Sequence, residues 1–165
     1  MRIHSTAAIL FTAAIACAAF SAAPIHAMGG DDTEKFFEKA GSAGKLEVES
    51  GRLAVQKASN PALRSFGEKM VAEHSQADSE LQALASRKGV AIPMAMSSSH
   101  QKKLEKLREE KPGKDFDKEF RDLMIDSHKE AVHLFESTAK DSKDAEVKAF
   151  AQKMLPTLKQ TFTRL

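Results

Sequence analysis

The sequence predicts an all-α domain built as a bundle of four long helices. Apolar residues recur at intervals of three and four positions through nearly all of the chain after residue 28, which is the spacing of an amphipathic helix. Alternating apolar and polar runs bounded by turn residues, which would indicate β-strands, do not occur there. The roughly 138 residues after position 27 suffice for one domain with its own core.

Local signals define the first hairpin of the bundle. A first helix is expected from about Asp32 to Ser59, with one of the aspartates at positions 31 and 32 as its cap. A second helix is expected to begin at Asn60 and Pro61, because Asn caps helix starts and Pro fits the first helical turn. Gly89 is expected to end this helix.

A long crossover and a second hairpin follow. The helical pattern weakens from Gly89 to Lys114, where only His100 to Glu110 has the pattern of a short exposed helix. A third long helix is expected from about Asp115 to Lys140, and a fourth from about Lys143 to Arg164, with Pro156 inside it. Two hairpins joined by one long connection indicate a ferritin-like bundle and not a simple up-and-down bundle.

The N-terminus predicts export. Residues 7 to 20 are apolar and uncharged, follow Arg2, and are too few to span a bilayer, which is typical of a signal peptide. We expect a signal peptide over residues 1–27, cleavage after Ala27, and a periplasmic or secreted domain over residues 28–165. A lipid anchor at Cys17 is the alternative, because Ala14 to Cys17 resembles a degraded lipoprotein signal.

Composition excludes several classes of function. Cleavage after residue 27 removes the single cysteine, and with it disulfides, thiolate zinc sites and cysteine nucleophiles. The 25 Lys and Arg are interspersed among 23 Asp and Glu, so nucleic acid is not an expected partner. The mature chain contains no predicted membrane span, phosphate loop, nucleophile elbow or zinc-protease motif. Catalysis is therefore not indicated.

Each of three predicted core-facing stripes contains one ionisable residue: Glu47 in helix 1, His74 in helix 2 and His128 in the third long helix. Each residue also lies near the midpoint of its helix, so the regular rise of an α-helix brings all three to one level of the bundle. A buried carboxylate needs a donor, and two imidazoles at the same level supply one. The remaining small residues of the helix 1 stripe, including Gly44 and Gly51, predict close approach of a neighbouring helix.

This level of the bundle has three interpretations. It is a hydrogen-bonded polar cluster that fixes helix register, or a zinc site with two imidazoles, one carboxylate and an open position, or a copper site. Met70 and Met124 each precede one of the histidines by four residues, and thioether with imidazole suits copper. The same methionines are also ordinary core residues.

The sequence argues against a di-iron centre. Such a centre needs Glu three residues before each of two histidines, and here those positions hold Val71 and Ile125. The other two histidines of the mature chain, His100 and His133, lie off the main apolar stripes and are predicted to be surface or edge residues.

The mature chain resembles a known family, the bacterial domain-of-unknown-function family 4142, from about Phe36 to the C-terminus. The segments that carry the resemblance are Phe36-Phe37, Gly44 to Glu49, Leu53-Ala54, Ala58-Ser59, Phe66 to His74, Lys88 to Val90, Met124 to His128, Ala131 to Glu136, and Ala149 to Pro156. The resemblance implies an exported ferritin-like domain with no established activity. Family members, often labelled outer-membrane proteins, share Glu47, His74 and His128.

The resemblance also implies a further histidine near the end of the last helix, where this chain has Thr161 or Phe162. A metal site that needs this histidine would lack one ligand here. We therefore expect a non-catalytic binding or stress-associated envelope module with a buried Glu/His/His centre. The alternatives are a zinc or copper protein that uses this centre, and a structural module that docks on an envelope protein through its crossover.

Overall fold

A computed structural model of the chain describes residues 30–162. Five helices follow one another: α1 (Asp31–Lys57), α2 (Pro61–Arg87), α3 (Ser98–Glu109), α4 (Lys114–Asp141) and α5 (Ala145–Phe162). Within residues 30–162 the only β-type pairing is an isolated bridge between Ala58 and Gly113. The all-α prediction is confirmed. The predicted signal peptide over residues 1–27 and the alternative anchor at Cys17 lie outside the described residues.

Local capping explains where α2 begins and where the prediction for α1 was wrong. The side chain of Asn60 accepts a hydrogen bond from the Ala62 N–H at 2.9 Å, and Pro61 occupies the first turn. The α1 helix starts earlier than expected: its N-cap is Gly30, whose carbonyl accepts from Thr33 N–H at 2.8 Å, and no side chain caps it. The aspartates at positions 31 and 32 lie inside the helix, where the dipole favours acidic residues.

Two antiparallel hairpins joined by a crossover form the bundle, as predicted. The bridge between Ala58 and Gly113 places the end of α1 beside the start of α4. The α2 and α5 helices are antiparallel neighbours, because Glu80 binds Lys153 at 2.7 Å while Lys88, at the end of α2, binds Asp144 beside the start of α5 at 2.8 Å. Both α1 with α2 and α4 with α5 pack closely.

The apolar interior is divided into two clusters, one on each side of the middle of the bundle. The lower core surrounds Phe66, Phe116 and Phe120 near the turn between α1 and α2. The upper core surrounds Phe36 and Phe135 at the opposite end, with the two rings 5.2 Å apart. A polar layer therefore separates two phenylalanine-rich regions.

The short crossover helix differs from its prediction. Leu104 and Leu107 of α3 are buried and belong to the lower core, so α3 is amphipathic and not simply exposed. Its charged face is solvated, whereas its leucines cover the groove between α1 and α4. Among residues 30–162, none of the helices is both long and apolar enough to cross a membrane.

Candidate functional site

The three ionisable residues predicted to share one level of the bundle do converge in its interior. Glu47 of α1, His74 of α2 and His128 of α4 are 2 %, 8 % and 0 % exposed. Glu47 lies between the other two. We call these three residues the polar centre.

Hydrogen bonds connect the polar centre. The Nδ1 atom of His74 lies 2.8 Å from Oε2 of Glu47, and Nδ1 of His128 lies 3.5 Å from Oε1 of the same carboxylate. The hydroxyl of Ser127, which was not predicted, donates to Oε1 of Glu47 at 2.9 Å. Both carboxylate oxygens therefore have a donor, which is what a buried carboxylate requires.

Electrostatics favour the charged forms of Glu47 and His74. Burial by itself raises the pKa of the Glu47 carboxyl, but the attraction and hydrogen bond of His74 outweigh it, with help from His128 and Ser127, and lower this pKa from 4.5 to about 2. Burial lowers the pKa of His74, but the Glu47 carboxylate and, to a smaller extent, Glu73 raise it above its usual value. The two charges stabilise each other.

The hydrogen-bond partners assign the tautomers of both imidazoles. Nδ1 of His128 lies 2.9 Å from the backbone carbonyl oxygen of Met124, which can only accept, so this nitrogen carries the proton. Nδ1 of His74 carries a proton for the same reason, because it faces an ionised carboxylate. On His128, Nε2 is therefore the nitrogen left to accept a further partner. On His74, Nε2 can accept one only when the ring gives up its second proton.

Unpartnered polar atoms lie in or beside the polar centre. Nε2 of His128 is buried without a hydrogen-bond partner, and so is the hydroxyl of Ser50, one turn along α1 from Glu47. Such atoms in a native interior call for an explanation such as water or an ion. Among the described residues, no three His, Cys, Asp or Glu side chains are already arranged to hold a metal ion.

A cavity of about 60 Å³ adjoins the polar centre. Glu47 and His74 line it together with small residues of α1 and α2 and apolar residues of α4 and α5. Gly44 also borders it, and a Cβ added there would meet no atom within 4 Å. The glycine at this position thus leaves space open, whereas the sequence pattern had predicted a close helix approach.

The remaining candidate residues divide between core and surface. Met70 and Met124 are both 0 % exposed in the lower core, one turn before His74 and His128. His133 is exposed as predicted, and His100 is an edge residue whose Nδ1 pairs with the Ser42 hydroxyl at 2.7 Å.

Thr161 is one of the two residues, with Phe162, at which the family resemblance implies a histidine. It is 4 % exposed, lines the same cavity as His74, and lies 3.4 Å from a Glu73 carboxylate oxygen through its hydroxyl. An imidazole at this position would therefore face the cavity beside the polar centre. The zinc or copper ion expected at the polar centre and the envelope protein expected at the crossover both stay predictions.

Fold and centre together define a ferritin-like four-helix bundle with a buried carboxylate and imidazole cluster. The model of the domain of unknown function DUF4142 matches residues 18–165. The chain belongs to this family, as the resemblance in the sequence indicated. No curated protein matches the sequence.

Several solved structures share the fold. CopM in the Cu(II)-bound form is 18% identical, with a TM-score of 0.66 over 79% of this chain and 90% of CopM. CopM in the Cu(I)-bound form is 18% identical, with a TM-score of 0.65 over 82% and 93% of the two chains. A DUF305 fragment from Deinococcus radiodurans is 15% identical, with a TM-score of 0.69 over 81% and 92%. At these identities the likeness shows the fold alone.

Proposed function

We propose that this chain is an exported, non-catalytic copper-binding module that holds the metal at the polar centre through Nε2 of His74, which releases its proton to the solvent on binding, and Nε2 of His128. The observation that carries the proposal is the buried, unpartnered Nε2 of His128 on a ring whose Nδ1 already donates to a backbone carbonyl. Metal-binding imidazoles usually donate their other N–H in this way, because that bond fixes the tautomer and orients the ring.

Glu47 has an orienting role in this proposal. Its two oxygens accept from His74 and Ser127, so direct ligation of a metal would break hydrogen bonds that a buried carboxylate needs. A carboxylate that holds a histidine in place for metal binding is a common arrangement. Zinc sites with two imidazoles and one carboxylate need Glu47 as a ligand, which favours copper over zinc.

Soft ligands nearby also favour copper. Met70 and Met124 lie one turn before the two histidines and are fully buried, and thioethers select copper over harder metals. The Cu(II)-bound and Cu(I)-bound forms of CopM support the same metal, because CopM is a bundle of this fold.

The size of the cavity supports a binding role and not catalysis on an organic substrate. The cavity of about 60 Å³ borders His74 and not His128, and it accommodates an ion or on the order of two water molecules on the His74 side of the polar centre. The predicted signal peptide supports a periplasmic or secreted location, where the protein would meet copper outside the cytoplasm.

Asparagine variants of the two histidines test the proposal. Asn keeps an N–H donor near the position of Nδ1, so His74→Asn and His128→Asn preserve the hydrogen bonds to Glu47 and the Met124 carbonyl while removing Nε2. We expect protein isolated from the periplasm without a chelating tag to contain copper and the double variant to contain none. Added copper at about 100 times its dissociation constant should stabilise the wild type by about 2.7 kcal/mol.

His133→Asn is the matched control, because it removes an exposed imidazole from the same helix as His128. It should bind copper like the wild type. Absence of copper from the wild type, together with no copper-dependent rise in melting temperature, would leave the polar centre as a structural cluster. Equal copper binding by the wild type and a folded double variant would contradict the proposed ligands.

Restoring the missing imidazole gives the opposite test. Thr161→His places a third imidazole on the cavity beside His74, so copper should bind more tightly than in the wild type. Gln152→His adds an imidazole to an exposed position of the same helix and should leave the affinity unchanged. Equal affinities of both variants would argue against metal binding at the polar centre.

A further inference from the structure

A second group of soft side chains lies on the outer surface, where the crossover passes over α1. Met94 and Met96 both line a groove of about 650 Å³ between the crossover, α1 and α2. Met94 is 93 % exposed, whereas Met96 is half-buried and packs against the lower core. One thioether is thus anchored in the protein and the other is free to reach a ligand. We call this surface the methionine groove.

The crossover is held in place on both sides of Met94. The Lys45 ammonium donates to the Pro93 carbonyl, and the Gln101 amide donates to the Met96 carbonyl at 2.7 Å. The Ser97 N–H also donates to the buried hydroxyl of Ser42 at 2.8 Å. Exposure of Met94 is therefore a feature of a fixed segment, and both thioethers are held at the same groove.

A carboxylate on α2 also lines the methionine groove. Asp78 accepts from the Gln82 amide through Oδ2 at 2.7 Å, while its Oδ1 is buried without a hydrogen-bond partner. Buried carboxylate oxygens normally have a donor or a cation beside them. Two thioethers and a carboxylate with one unsatisfied oxygen therefore line one groove.

We propose that the methionine groove is a surface site for the cuprous ion, with Met94 and Met96 as ligands and Asp78 as the counter-charge. Thioethers are soft ligands that select Cu(I). The choice of copper over another soft cation rests on the proposed function, whereas the site itself uses none of the residues of the polar centre. Gly44 of α1 and Asp78 of α2 line both the groove and the inner cavity. The proposed surface site therefore lies outside these two residues, and His74 lies inside them.

Methyl NMR of the protein labelled with methyl-¹³C methionine tests this site. Ag(I) serves as a probe that does not change oxidation state, and single Met→Leu variants assign the signals. With one equivalent of Ag(I), the methyl signals of Met94 and Met96 should shift. Met154, a half-buried methionine of the upper core, lies outside the groove but lines the inner cavity beside His74, so its signal reports on the buried site and not on the groove.

Variants of the groove sharpen the test. The double variant Met94→Leu, Met96→Leu conserves side-chain volume and should abolish the binding of Ag(I) at the methionine groove. Asp78→Asn should weaken Ag(I) binding about tenfold, the loss expected for one charge-assisted contact. Unchanged Met94 and Met96 signals at one equivalent would overturn the surface site.

The same spectra separate this inference from the proposed function. Met70 and Met124 lie beside the polar centre and report on it. Shifts at the groove methionines without shifts at these two would support the surface site while contradicting the buried one for this probe. The reverse pattern would remove the surface site and leave the proposed function intact.

Discussion

Two glycines on the same face of α1 have opposite surroundings. At Gly51 an added Cβ would lie 2.9 Å from the carbonyl oxygen of Gly67, because α1 and α2 pack backbone against backbone there. At Gly44, two turns earlier, an added Cβ would meet nothing within 4 Å and would point into open space. One level of this helix pair is tight and the other is open.

This difference shows what each level of the α1 and α2 pair contributes to the position of the polar centre. The tight level has a glycine on both helices, so the two backbones fix the first hairpin next to the lower core. The open level lies on the other side of Glu47 and His74, at the cavity that α5 also lines. Over their whole length, α2 packs far less closely on α5 than on α1. Rigid packing on one side thus holds the polar centre while space remains beside it on the other.

Among the substitutions, adding a methyl group to either glycine of the tight level should have the largest effect on stability. A Cβ in Gly67→Ala would lie 2.7 Å from the Gly51 carbonyl oxygen and 3.0 Å from Cβ of Ala54, so the helices must move apart. Overpacking of this kind costs about 2 to 3 kcal/mol. Chemical denaturation of Gly67→Ala and Gly51→Ala should show this loss in both, and an unchanged unfolding midpoint in either would contradict the close approach.

Much of the fold and the position of the polar centre could be predicted because the signals are local or regular. Asn60 and Pro61 mark a helix start from chemistry within one turn. Helix rise then places Glu47 at the same level as His74 and His128, with no knowledge of the loops. The family resemblance agreed with these inferences and added Thr161 or Phe162 as the place of a further histidine in relatives.

The rest depends on contacts between distant residues. Asp117 of α4 caps the start of α2 by accepting from Ser59 N–H at 2.8 Å and Asn60 N–H at 3.0 Å, which no pattern in either segment reveals. Likewise, Gly44 and Gly51 occupy equivalent places in the stripe, and only the residue opposite each one decides between contact and cavity. Tertiary packing, not propensity, sets these features.

Stability should also depend on pH, through Glu47 and His74 of the polar centre between the two levels. The lowered pKa of Glu47 contributes stability above 4.5 that is lost as pH falls toward 2. The raised pKa of His74 contributes stability that is fully present below 6.5 and is lost as pH rises through the raised value. The melting temperature should therefore be highest between about pH 4.5 and 6.5.

His74→Asn provides the control for this profile, because it keeps a donor to Glu47 but cannot titrate. Its melting temperature should lose the decline on the alkaline side that the wild type shows. Gly67→Ala should shift the whole profile downward without changing its shape, since the tight level contains no titrating group. Identical alkaline profiles for the wild type and His74→Asn would contradict the assignment of this decline to His74.

Adding a methyl group at the open level should have the smallest effect on the free energy of unfolding, and it should raise this free energy where the substitutions at the tight level lower it. Gly44→Ala adds a methyl group where no atom lies within 4 Å, so helix propensity alone should stabilise the protein by about 0.5 to 1 kcal/mol. Gly41→Ala is the matched control on the same helix, because its Cβ would lie 2.5 Å from a methyl carbon of Ile92 and must displace the crossover. Denaturation midpoints should rise for Gly44→Ala and rise less, or fall, for Gly41→Ala. A loss of stability in Gly44→Ala would mean that the space beside the polar centre is already filled, and the contrast between the two levels of α1 would disappear.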